Sequence, residues 1–241
     1  MENKRVITGG QLGEDLPSME TAYEAADAGQ APKVLRNTYL LLAVTMVPTI
    51  IGAFIGIQTA GIIMASPIIS SLVMLAAVIG LQYGIIANRN SGVGVALLLL
   101  MTGILGWWLG PILNYALQMR NGMQLVGYAA AGTGIIFFAM GAIATTVKRD
   151  FSFMGKFLVV GMLTLLVAMI ANMFLQIPAL ALTISSLVIV VFSLFLLYDL
   201  QRIIRGGEDN YIMATTGVYM SLFNIFVNLL QILLALSGER D

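Results

Sequence analysis

The chain has 241 residues, 59% of them hydrophobic and only 10% charged, with 12 basic and 12 acidic side chains. Its mean hydropathy is +0.93. That is too little polar surface for a soluble domain and no net charge to draw nucleic acid, so the class is a multispanning membrane protein. There is no Cys, which excludes disulfides and thiol chemistry, and no His, which removes the commonest metal ligand and the commonest general base together.

The first 36 residues differ from the rest. "GGQLGEDLPSMETAYEAADAGQAPK" is polar and acidic, and poor in the large apolar groups that would order it. It reads as a flexible cytoplasmic tail over 1–36, with a short helix over "SMETAYEAADA" capped by Ser18 as the alternative. The apolar part starts too late for a cleaved signal peptide.

Beyond the tail, charges are rare enough to divide the chain into uncharged runs at 37–88, 90–119, 121–147, 157–198 and 210–238. A helix rising about 1.5 Å per residue needs roughly 20 apolar residues to cross about 30 Å of hydrocarbon. The three shorter runs therefore hold one span each. The runs at 37–88 and 157–198 hold two, broken at "QTAG" (58–61) and at "QIP" (176–178), where Pro178 cannot continue a helix. Seven spans are predicted, at 38–57, 62–86, 93–117, 124–147, 154–175, 179–201 and 211–236. Continuous apolar runs exclude alternating barrel strands. The organisation is a tail (1–36), an all-α seven-helix transmembrane domain (37–236) and a short end (237–241). An odd number of spans places Lys4, Arg5, Lys33, Arg36, Arg89, Lys148, Arg149, Lys156, Arg202 and Arg205 on one side and Arg120 and Arg240 on the other. The basic side is the cytoplasmic one, so the N-terminus is expected inside and the C-terminus outside.

Small residues at helical spacing predict close helix packing at Gly52 and Gly56, at Gly106 and Gly110, and in span four at Gly127, Ala130, Ala131 and Gly134. Pro111 and Asn114 in "LGPILNYA" predict a kink in span three and a backbone carbonyl in search of a donor.

Asp199 follows 42 residues without a charge, with Arg202 one turn on and on the same face. Either it marks where span six leaves the membrane or it belongs to a buried site. Gly206 and Gly207 end span six, and Glu208, Asp209 and Asn210 supply acid and capping groups for span seven. That tight hairpin brings Asp199 to the start of a polar seam in span seven, Gly217, Ser221, Asn224, Asn228 and Gln231, spaced by 4, 3, 4 and 3. The seam is expected to face the bundle, as helix–helix glue or as the wall of a water-lined path. Asp199, Arg202, Ser221, Asn224, Asn228 and Gln231 together form the candidate intramembrane polar site. No catalytic set accompanies it. A serine nucleophile has no base, a retinal has no Schiff-base Lys in the late spans, and an aspartyl protease needs a second acid that the spans lack. No enzyme, cofactor or metal site is therefore expected.

The phrases "KVLRNTYLLLAVT", "LGPILN", "KRDFSFMGKFL", "ANMFLQIPALALTIS" and "IIRGGEDNYIMATTGVYMSLFNIFVNLLQIL" resemble the Bax inhibitor-1 family, and more narrowly its bacterial YccA branch. The resemblance runs from Lys33 to the end. It implies a seven-span inner-membrane protein with a cytoplasmic N-terminus. It also implies a partner, the membrane-anchored AAA+ protease FtsH, whose degradation of membrane proteins this branch restrains and which can degrade the branch's members through their N-terminal tails. Other members of the wider family are similar to pH-sensitive calcium leak channels, in which two aspartates on the last two helices share protons and latch onto an early arginine. Asp199 falls at the first of these positions and Ser221 at the second, and spans one and two carry no charge. Calcium ions or protons are thus the alternative partners.

Overall fold

The computed structural model describes residues 19–147, 151 and 153–238. Ser18, the first 18 residues of the tail, most of the 148–152 loop and the last three residues lie outside these. Among the described residues the chain forms nine helices and no strand. Helix α1 (Met19–Gln58) begins well ahead of the first apolar run and carries span one; α2 (Ala60–Met64) is a single turn. Span two is α3 (Pro67–Ala87), span three is α4 (Gly92–Trp108) continued by α5 (Gly110–Gln118), and span four is α6 (Gly122–Thr146). Spans five, six and seven are α7 (Met154–Leu175), α8 (Pro178–Ile204) and α9 (Tyr211–Gly238). Seven helical stretches are long and apolar enough to cross a membrane, at 31–58, 67–87, 92–118, 122–146, 154–175, 178–204 and 211–238. They match the seven expected spans to within a few residues, except at two starts. Span one begins earlier, inside a helix that already runs from Met19. Span two begins at Pro67 rather than 62, because a separate turn intervenes and proline takes the first position of the new helix.

The breaks have local causes. Gln176 adopts the left-handed conformation (φ 52°), and the Asn172 side chain accepts from the Ile177 amide at 3.1 Å, after which Pro178 opens span six. Span three bends at Leu109, two residues before Pro111. Asn114, one turn beyond, donates to the Ile57 carbonyl at 3.1 Å, one of the acceptors left over where α1 ends.

Span seven is the axis of the bundle. It touches spans one, two, three, four and six, and Val218, Ile225 and Leu230 on it are fully buried. Tyr219 links three helices: its hydroxyl pairs with Thr49 Oγ1 of span one at 2.8 Å and donates to the Thr102 carbonyl of span three at 3.4 Å. Spans one and three pack through glycine. A Cβ on Gly56 would overlap the Trp107 carbonyl, and one on Gly110 would overlap the Gly56 backbone. Gly52 and Gly106 lie equally close to the Gly103 and Thr49 carbonyls. The expected packing does not extend to span four. Among the described residues nothing lies within 4 Å of where a Cβ on Gly127 or Gly134 would be, and Ala130 and Ala131 are exposed, so that face meets no other described helix.

Candidate functional site

Asp199 sits five residues before the end of span six, half-buried, and faces span seven. An ideal Cβ on Gly217 would lie 2.7 Å from Asp199 Oδ2, so the missing side chain is what lets the carboxylate in. It opens on a cavity of about 260 Å³ drawn from four spans. Gln82 comes from span two, Met162 from span five, Phe192 and Phe195 from span six, and Thr216 and Ser221 from span seven. Among the described residues no hydrogen bond or ion pair reaches the Asp199 carboxylate.

Arg202 does not pair with Asp199. Its guanidinium turns to the hairpin, with Nη2 3.1 Å from Glu208 Oε2 and Nε donating to the Gly207 carbonyl at 2.9 Å. The hairpin itself is built as its residues predict. Gly206 has φ 75°, the Gly207 amide donates to the Arg202 carbonyl, and Asn210 Oδ1 accepts from the Ile212 and Met213 amides at 3.0 Å. Asn210 Nδ2 then donates to Arg89 O and Asn90 Oδ1, both at 2.8 Å, tying the hairpin to the loop between spans two and three. On the other flank Gln201 Oε1 accepts from the Phe151 amide at 2.8 Å, and Arg205 Nη2 donates to the Val147 carbonyl at 3.3 Å. The end of span six is thereby clamped from both sides.

Of the six candidate residues the structure gathers three, Asp199, Arg202 and Ser221, around the cavity. Asn224 and Asn228 donate to carbonyls of their own helix, Met220 O and Asn224 O, both at 2.8 Å. Gln231 is exposed and accepts from Ser185 of span six at 3.2 Å. The seam is buried at Ser221 and Asn228 and half-buried at Asn224, while Gln231 is exposed although it meets Ser185 of span six. Gln82 and Glu208 were not among the candidates. Gln82 is a lone amide in "LQYG" with no spacing to flag it, and Glu208 reads as a cap until the turn folds it back onto Arg202.

Among the described residues no group of three or more His, Cys, Asp or Glu comes together. Around the cavity stand two carboxylates, Asp199 and the Glu208 already paired with Arg202, together with the Gln82 amide and the Ser221 hydroxyl, which has no partner among the described residues; the Thr216 hydroxyl already bonds to Ile212 O at 2.7 Å. Such a set can hold a single proton or counter-charge.

Fold and site together define a membrane-embedded helical bundle with a small acid-lined cavity at one end. The chain belongs to the family described as inhibitor of apoptosis-promoting Bax1, whose model matches residues 31–238. It is 41% identical over 201 residues to the Escherichia coli K12 protein named modulator of FtsH protease YccA, covering 83% of this chain and 89% of that one. An uncharacterized protein of Neisseria meningitidis is also 41% identical, over 86% of this chain and 92% of its own length. An uncharacterized membrane protein of Vibrio cholerae is 41% identical over 83% and 88%.

Proposed function

We propose that this chain is a multi-pass inner-membrane protein that binds the FtsH protease and restrains its degradation of membrane proteins without chemistry of its own. The observation that carries this reading is the 41% identity to the E. coli modulator over 89% of that protein's length. A relative in another E. coli strain, named inner membrane protein YccA, supports the location. The site's chemistry agrees, since Glu208 is committed to Arg202 and, among the described residues, no base accompanies Asp199, which gives neither a nucleophile nor a shared-proton pair. The N-terminus lies in the cytoplasm and the C-terminus outside, following the ten-to-two division of Lys and Arg. The test is to solubilise native membranes gently, isolate the protein, and probe for FtsH, while following FtsH substrate half-lives on overproduction. Co-purification with longer half-lives is expected. Absence of FtsH together with unchanged half-lives overturns the reading. Deleting residues 1–30 should lengthen this protein's own lifetime if the tail is where the protease grips.

A second reading, a pH-sensitive calcium leak through Asp199, draws support from a carboxylate without an ion pair facing a cavity. Against it, calcium takes about 6–8 oxygen ligands, and at this cavity Glu208 is already paired with Arg202 and the Thr216 hydroxyl already donates to Ile212 O. Reconstituted vesicles should show pH-dependent calcium flux that Asp199→Asn abolishes; flux at the level of empty vesicles removes this reading.

A further inference from the structure

On the outer face of the bundle, spans one and four leave a groove of about 640 Å³ between them. Its walls are apolar and aromatic: Tyr39, Leu42 and Met46 on one side, Phe137, Phe138 and Gly141 on the other. Tyr39 meets Phe137 edge-on at 6.0 Å, and Phe137 meets Phe138 at 5.5 Å. The volume is within the range of about 300–1,000 Å³ usual for ligand pockets.

The groove has a polar mouth at one end only. Arg36, Tyr39, Ala43 and Met46 succeed one another at spacings of 3, 4 and 3, so one side of α1 carries a cation, then a phenol, then the groove wall. Arg36 is exposed and, among the described residues, makes no ion pair or hydrogen bond; the Tyr39 hydroxyl likewise has no partner there. The facing Thr145 hydroxyl is already committed to the Gly141 and Ala142 carbonyls, and no carboxylate lines the groove. Donors for an anion are thus set directly above an apolar slot.

Length decides the occupant. From Tyr39 to Met46 the helix rises about 10 Å, which lies within one leaflet of a hydrocarbon core about 30 Å thick. A crossing helix from a partner would need a seat along the whole span. An acyl chain needs only this one, and its headgroup would then meet Arg36. We propose that the groove between spans one and four is a binding site for an anionic glycerophospholipid, with one acyl chain against Phe137 and Phe138 and the phosphate held by Arg36 and the Tyr39 hydroxyl. The site is independent of the protease reading.

The test titrates the full-length, detergent-purified protein with phosphatidylglycerol and with phosphatidylcholine of identical chains, and counts retained lipid by native mass spectrometry. Phosphatidylglycerol is expected to be retained preferentially. Arg36→Gln should weaken that retention about fivefold, the value of one basic side chain near an anionic surface, and leave phosphatidylcholine unchanged. Lys156→Gln, which removes an exposed cation at the start of span five, should change neither. Ala142→Phe, which fills the slot, should abolish both. Arg36 is exposed on a helix surface, so its variant reads out even if Ala142→Phe does not fold. Equal retention of the two lipids overturns the proposal, as does an equal loss in Arg36→Gln and Lys156→Gln. A dimer of the purified protein that Ala142→Phe dissociates also overturns it, by assigning the face to a second copy.

Discussion

Gly217 of span seven lies directly against the carboxylate of Asp199 on span six, with 2.7 Å between Oδ2 and the point where a Cβ would stand. Gly56 is just as tightly enclosed, but by backbone, the Trp107 carbonyl and the Gly110 Cα at 3.0 Å. The difference predicts opposite outcomes for one substitution. In Gly217→Ala the short carboxylate can turn away, and the helix gains about 1 kcal/mol of propensity, so stability should change little. In Gly56→Ala two helices must separate, at a cost of about 1–3 kcal/mol or more. Unfolding of both variants in mixed detergent micelles checks this; equal losses would show that Asp199 is held as rigidly as backbone.

Asp199→Asn should leave stability unchanged or raise it. A carboxylate without an ion pair among the described residues, set beside Met162, Phe192 and Phe195, is costlier than an amide of the same shape. Were Asp199 instead the partner of Arg202, removing its charge would cost about 3–5 kcal/mol, as for a broken buried pair. The pair that does form, Arg202 with Glu208, has its arginine side chain 46% exposed, and a double-mutant cycle should give it under about 1 kcal/mol.

The same residues indicate what the sequence makes visible. Gaps between charges located all seven spans, because lipid tolerates neither a free charge nor an open backbone. The caps of the span six–seven turn were legible because Gly206 and Asn210 act locally. Arg202 was not, since Asp199 and Glu208 are both within its reach and only the direction of the folded-back turn selects Glu208. Nor could periodicity show that Asn224 and Asn228 close onto their own helix, or that Gly56 packs while Gly127 does not. Both glycines have the same spacing, and only the arrangement of neighbouring helices separates them.

Tyr219→Phe removes the hydroxyl that joins spans one, three and seven. Thr49 keeps its bond to the Thr45 carbonyl at 2.8 Å, so no donor is stranded. The expected loss is about 0.6–1.7 kcal/mol, the range for interhelical bonds in membranes. Tyr219→Ala should lose about 3–5 kcal/mol, because the ring is buried and stacks on Phe223 with centroids 6.1 Å apart. Equal losses for the two variants would locate the energy in the hydroxyl rather than the ring.

Asn210 performs two tasks with two ends of one side chain, and substitutions can separate them. Its oxygen caps span seven through the Ile212 and Met213 amides, while its nitrogen holds Arg89 O and Asn90 Oδ1 of the span two–three loop. Asn210→Asp keeps the cap, and a negative charge there complements the helix N-terminus. It loses both donors, however, and sets a carboxylate against two oxygens. Asn210→Ala loses everything, the cap alone being worth about 0.5–2 kcal/mol. Hydrogen exchange should then divide the variants. In Asn210→Asp, the amides of Ile212 and Met213 stay protected while the loop at 88–91 opens; in Asn210→Ala, both exchange faster. Loss of protection at Ile212 and Met213 in Asn210→Asp would mean that the hairpin is held by its contact with the loop and not by its cap.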